Sequence, residues 1–145
     1  MLEAIHHLRK AIITALTGNI TVNSVTLPVY NRVPSNASAP YIIVYSVGMN
    51  ETNQNRDSLN LETITRVEVI FKYDGDNGGE LECNLAMSEV LNILRTRSAD
   101  YLDLSADNFK IYTSTNEGVT YLVQEMPDAT YFRAILELAN KIQPV

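Results

Sequence analysis

Two adjacent histidines, His6 and His7, one cysteine, Cys83, and an acidic glycine-rich run, DGDNGG at residues 74–79, are where chemistry would have to come from. A metal ion needs ligands that converge, as an i, i+4 pair on a helix does. Neighbouring helical residues point about 100° apart, so His6 and His7 cannot chelate one ion, and no other histidine supplies a further ligand. A half-exposed pair on an amphipathic helix is the plainer reading. Cys83 would be a nucleophile only with a base beside it. It shares a helical stripe with Met87 and Val90, which predicts a buried core thiol. The 74–79 run has the look of a calcium loop, which wants Asp or Asn at its fifth position and a bidentate Glu at its twelfth. Gly78 and Leu85 stand there instead. Gly75, Gly78 and Gly79 do not make a phosphate loop either, because no Gly-Lys-Ser/Thr follows and the flanking acids repel phosphate. Glu62, Glu68 and Glu125 form no acid–base pair that spacing defines. No catalytic residue, cofactor site or metal site is expected, and the chain is read as a non-enzyme.

The elements that carry these residues fit one domain over residues 1–145, a common domain size with room for one core. Apolar residues make up 46% and charged residues 19%, the balance of a folded globular protein. The net charge is −6 with no basic cluster, which argues against specific nucleic-acid binding, since phosphate contact needs grouped Lys and Arg. A lone cysteine allows no internal disulfide. Glu3, Arg9 and Lys10 interrupt the apolar residues of the N-terminal segment, so no signal-peptide core is expected, and no span approaches the roughly 18 apolar residues that would cross a membrane. The chain is expected to be made and used in a cytoplasm, or in something assembled there.

Along residues 2–16, Ile5, Leu8, Ile12, Ala15 and Leu16 recur at helical steps, and Gly18 follows the last turn. After a loose stretch, residues 26–33 read as a short strand, pushed towards a sheet edge by Pro28. Pro34 and Pro40 bracket a stiff polar crossing, and Pro40 sets residue 39 extended, so the strand at 41–49 starts straight. Residues 61–73 alternate cleanly, with Thr63, Thr65, Val67, Val69, Phe71 and Tyr73 on one face. Helix is expected again from the 74–79 turn to about residue 97, with Glu80 and Glu82 favoured near its N-terminus and Cys83, Met87, Val90, Leu91 and Leu94 as its stripe. Residues 109–115 and 119–126 then read as two strands around a tight loop at Asn116-Glu117-Gly118. The closing segment, TYFRAILELANKI, fits strand or helix by periodicity. The turn at Pro127-Asp128 decides for strand. The expected fold is α+β: one antiparallel sheet with a long β-hairpin and two helices packed on one face, in the order α-β-β-β-α-β-β-β.

One stretch does not fit an ordinary turn. NETNQNRDSLN, residues 50–60, is almost wholly polar and longer than the two to five residues that usually join paired strands. It is a solvated hairpin tip or an arm that touches a neighbouring subunit, and both readings stay open. If it is an arm, Asn53, Gln54, Asn55, Arg56 and Asp57 are the residues that make the contact with the neighbour.

An N-terminal helix ending ALTGN, the passage VYNRVPSNASAPYIIVYSV, the strand TITRVEVIFKYD, the helix ELECNLAMSEVLNIL and the closing TYFRAILELA together resemble the tail terminator, or tail-completion, family of long-tailed bacteriophages. The resemblance spans roughly residues 4–140 and is carried by Val33-Pro34, by Pro40-Tyr41-Ile42-Ile43-Val44 and by the Arg133 strand. It implies a virion protein of the tail or neck, assembled in the bacterial host cytoplasm. Such a subunit forms a homo-oligomeric ring, commonly a hexamer, at the head-proximal end of the tail. The ring ends tube growth and joins tail to head, so its partners are the tail tube protein and a head-completion or connector protein, with no membrane partner. A related connector ring of the phage neck would show the same pattern. A small non-enzymatic binding domain is the other alternative.

Overall fold

The computed structural model describes residues 3–55, 58–75, 77–94 and 102–145, with backbone alone at 53–55, 58 and 59. Helix α1, Ile5–Leu16, buries Ile5, Leu8, Ile12 and Leu16, the face that sequence periodicity selects. Its first turn is tied by the Glu3 carboxylate, which accepts from the His6 N–H at 2.9 Å. That bond holds the Glu3 carboxyl below its usual range. At the other end Thr17 Oγ1 and Asn19 Nδ2 donate to the Ile13 and Ala15 carbonyls at 2.6 and 2.8 Å, and Gly18 takes the left-handed φ of +79°.

The stretch after α1 is not loose. Strands β1, Thr21–Val22, and β2, Val25–Thr26, form a small antiparallel hairpin. Its two turn residues, Asn23 and Ser24, both have positive φ, 51° and 67°, the geometry that matches strand twist in a two-residue turn. Helix α2, Leu81–Leu94, holds this hairpin down: Glu89 accepts from the Thr21 N–H at 2.7 Å, and Glu82 from Asn23 Nδ2 at 2.9 Å.

Five strands make the main sheet, in the order β3-β4-β5-β7-β6. They are β3, Val29–Tyr30; β4, Tyr41–Asn55; β5, Ser58–Asp74; β6, Phe109–Glu125; and β7, Ala129–Pro144. The α+β class holds, but a single antiparallel sheet does not: β3 runs parallel to β4, so the five-stranded sheet is mixed and stands beside the separate β1–β2 hairpin. Pro28, with no N–H to give, interrupts the expected strand at 26–33 and leaves β3 two residues long. The Pro28 carbonyl instead accepts from the Ile42 N–H at 2.9 Å. The Pro-bracketed crossing therefore brings the chain back to the level where β3 began, which parallel pairing requires.

The second correction concerns β6. Asn116-Glu117-Gly118 is not a hairpin loop, and the expected pair of strands is one strand of 17 residues. Gly118, at φ +135°, gives its N–H to Asn116 Oδ1 at 2.8 Å. The pairing passes from Asn116↔Leu138 to Gly118↔Glu137, so Glu117 is the extra residue of a β-bulge. An uninterrupted β7 beside it converts a turn signal into a bend. The reading of the closing segment as strand holds: Ala134, Leu136, Leu138, Asn140 and Ile142 alternate into the core. Met126 and Ala129 exchange backbone bonds at 2.8 and 3.3 Å around the Pro127-Asp128 turn.

Both helices pack on one face of the sheet. Cys83, Ala86, Met87, Val90 and Leu94 of α2 meet Val67, Val69, Phe71, Ala134 and Leu136 in one cluster with Leu8 and Ile12 of α1. Leu91, expected in the stripe, is only partly buried, and its expected extension to residue 97 falls outside the described residues. Complete burial of a Leu or Ile side chain contributes roughly 1.5–3 kcal/mol, so this single layer of contacts carries most of the stability. The 50–60 stretch is likewise not a long loop. The β4–β5 ladder continues through Asn53↔Leu59 to Asn55↔Ser58.

Candidate assembly surface

The residues considered for chemistry end in structural settings. His6 and His7 stack on each other with ring centroids 3.8 Å apart. Nδ1 of His7 lies 3.2 Å from Asp107, and Nδ1 of His6 lies 3.1 Å from Glu3. Among the described residues no three His, Cys, Asp or Glu side chains gather as a metal site would need. Cys83 is fully buried, its Sγ 3.9 and 3.8 Å from the Val69 and Phe132 carbonyls. Burial first, and then the charge of Glu80, pushes the thiol up to about 11, so the nucleophilic thiolate is scarce near neutral pH. In the 74–79 turn Asn77 donates from its N–H and from Nδ2 to the Asp74 carbonyl at 3.4 and 3.2 Å. Asp76 lies outside the described residues. Gly78, at φ +80°, lets the chain pass against the Tyr73 ring.

The rest of the surface is unusual in what it leaves uncovered. Among the described residues the sheet face opposite the helices has no second layer, and charged pairs cross it. Arg133 donates to Glu68 at 2.7 Å, Arg66 to Glu137 at 3.1 Å, and Lys141 stands 3.8 Å from Glu62. Glu68 is only 7% exposed although it lies on this open face, because Arg133 and Tyr45 close over it. Where Gly48 and Ala139 supply almost no side chain, a depression of about 390 Å³ opens over Ile64, between the Lys141–Glu62 pair and Thr115. Register shifts at Val47, Tyr112 and Glu117 surround it. Such bulges bend strands and increase twist, which makes this face concave.

Both margins of the sheet are open. On one side β3 covers β4 only at Ile42 and Ile43, and Asn31 Nδ2 then satisfies the Val44 carbonyl at 2.8 Å. Beyond that point no further described strand pairs with this side of β4. On the other side β6 presents its whole length. Tyr121, Leu122 and Val123 are 43%, 47% and 54% exposed, and Met126 follows them. Three successive apolar residues on a strand point to both faces, so a margin of this kind stays wet and apolar on both sides. Natural edge strands are usually blunted by lysine, proline or shortness. Tyr121–Met126 has neither lysine nor proline, and the devices β6 does carry, the bulges at Tyr112 and Glu117 and the charge of Glu125, leave Tyr121–Val123 bare.

Of the residues expected to form an arm, Asn53, Gln54 and Asn55 lie on the last strand positions of β4, with a register shift at Gln54. Arg56 and Asp57 lie outside the described residues. The open β6 margin was not anticipated from sequence. The signal for it was TYLVQEM, apolar at consecutive rather than alternate positions.

Fold and surface together define an α+β domain with a five-stranded mixed sheet, a separate β1–β2 hairpin and two helices; among the described residues no further strand pairs with either margin of the main sheet. No protein-family model matches the chain, and no curated protein matches it.

Proposed function

We propose that this chain is a structural virion protein, a tail-terminator subunit that assembles as a ring at the head-proximal end of a phage tail, ends tube growth and joins tail to head. The observation that carries the assembly part is the 17-residue β6 margin, which no further described strand covers and which is apolar at Tyr121–Val123. A monomer with such an edge is a template for strand addition, and a surface of this kind is explained by docking. The terminator assignment rests on the resemblance carried by Val33-Pro34, Pro40–Val44 and the Arg133 strand. Two different margins suit a heterologous contact, which closes into a ring when its rotation permits; the closed form is taken from the resemblance. The tip of the β4–β5 hairpin, from Asn53 to Asp57, is the tube- or neighbour-contacting arm in this reading.

The test is a growth assay with the cognate tail tube protein. Tubes polymerised alone are expected to elongate without limit, and tubes given this chain are expected to stop, with the added density at one end in electron micrographs. Tubes of unchanged length with bare ends would defeat the terminator role while leaving open a connector ring elsewhere in the neck.

A further inference from the structure

If the proposed ring reading holds, the two free margins of the sheet have to be examined as mates, and their strand directions can be compared. β4 is antiparallel to β5, β5 to β7, and β7 to β6, while β3 is parallel to β4. β6 therefore runs opposite to both strands of the far margin. Any head-to-tail arrangement that continues the sheet preserves these directions, so it brings β6 against β3 and β4 as an antiparallel ladder, the more stable of the two kinds.

The margins also match in outline. The β3 margin is stepped: β3 is outermost beside Ile42 and Ile43, and the edge then moves inward to β4 from about Tyr45. A straight strand could not follow such a step. The pairings Ser46↔Thr65, Thr65↔Leu138 and Leu138↔Asn116 place the Glu117 bulge at the level of that step. A bulge bends its strand at one point, and here the bend falls where the mating edge changes strand. Below it, Tyr121 stands level with Val29 through Ala134, Val69 and Ile42, and Thr120 with Tyr30 through Ile135, Glu68 and Ile43, so the start of the apolar part of β6 falls opposite the half-buried β3.

Charge agrees with outline. At the step, the exposed Arg32 follows β3. It has no carboxylate within ion-pair distance among the described residues. Glu117 is exposed on the bulge and also lacks a cation partner there. A two-fold pairing of β6 with itself about the bulge would set Glu117 against Glu117, which disfavours a closed dimer.

We infer that a second copy of this chain docks its β6 antiparallel onto the β3–β4 margin, with Glu117 of one subunit seated against Arg32 of the next. Charge reversal tests it. Glu117→Arg and Arg32→Glu, both on exposed side chains, are each expected to weaken association about tenfold or more, because like charges then meet at the step. The double variant is expected to return association to within a few-fold of the wild-type value, as read by sedimentation at graded concentrations. Rings that tolerate every single reversal, or a double variant no better than its parents, would overturn this pairing while the ring reading stands. A wild-type chain that does not associate at all would overturn both.

Discussion

Tyr121→Lys should abolish self-association while leaving the fold intact. Tyr121 is 43% exposed in the isolated subunit and stands level with Val29 of β3, so its replacement removes little that holds the monomer together. Surface changes of this kind usually alter stability by no more than about 0.5 kcal/mol. In a docked margin the same position is covered. Losing the ring there forfeits roughly 1.5 kcal/mol or more of burial, and a lysine ammonium with no partner costs several kcal/mol to desolvate. The sum corresponds to a loss of affinity of a hundredfold or more, since about 1.4 kcal/mol is a factor of ten. Lysine on an edge strand is also the device by which proteins refuse strand addition. Light scattering should show the monomer, and thermal unfolding should stay within about 1–2 °C of wild type on the scale expected for a chain of this length. A variant that still associates like wild type would show that β6 is not a docking edge.

Gly78→Ala should produce the largest loss of monomer stability among surface-loop substitutions. An added Cβ would fall inside the contact envelope of Tyr73 Cγ, a ring atom near the backbone that cannot swing aside as a side-chain tip would. Tyr73 has little freedom to retreat. Its ring stacks on Phe71 and meets Phe132 edge-on, with centroids 6.3 and 5.7 Å away, and its hydroxyl donates to Glu82 at 2.7 Å. Burial, and then the Glu82 carboxylate, push the Tyr73 hydroxyl well above the usual tyrosine range, so it stays a donor through neutral pH. The left-handed φ of Gly78 adds about 1 kcal/mol for any side chain, and overpacking costs a further 1–3 kcal/mol or so. Urea unfolding should report a loss of about 2–4 kcal/mol, with the slope unchanged because the same surface is exposed. Gly79→Ala, where nothing lies within 4 Å of the added carbon and φ is ordinary, is the control and should change little.

The sequence disclosed those parts of the fold in which one local signal dominates. Helix α1 is written in the steps of Ile5, Leu8, Ile12 and Leu16, and β5 in an alternation that one covered face demands. The strand at the C-terminus was decided by Pro127-Asp128 rather than by periodicity, since Phe132–Leu138 fits both. What stayed hidden depends on partners distant in sequence. Asn116-Glu117-Gly118 has the composition of a turn, and only a continuous β7 alongside makes it a bulge. The parallel placement of β3 is decided by where the crossing lands. Asn23-Ser24 lacks the glycine that usually marks a two-residue hairpin turn, so β1–β2 passed for loop. The polar residues of 50–60 looked like a loop because strands are recognised by their apolar face, and a ladder that projects past the core has none to show. For the same reason the open β6 margin was missed. Periodicity reports which side of an element faces its own core, whereas Tyr121, Leu122 and Val123 are apolar at successive positions of an outer strand and exposed on both of its faces.

The account depends on one property, that the two sheet margins are surfaces for other copies of the same chain. Native mass spectrometry of the wild-type protein at micromolar concentration addresses it most directly. A single closed species with a fixed number of subunits, six by the family resemblance, is the expected spectrum, with partial rings appearing only on dilution. A spectrum holding the monomer alone across that concentration range, with the amides of β6 protected from hydrogen exchange, would show that the margin is not open for docking and would contradict the account.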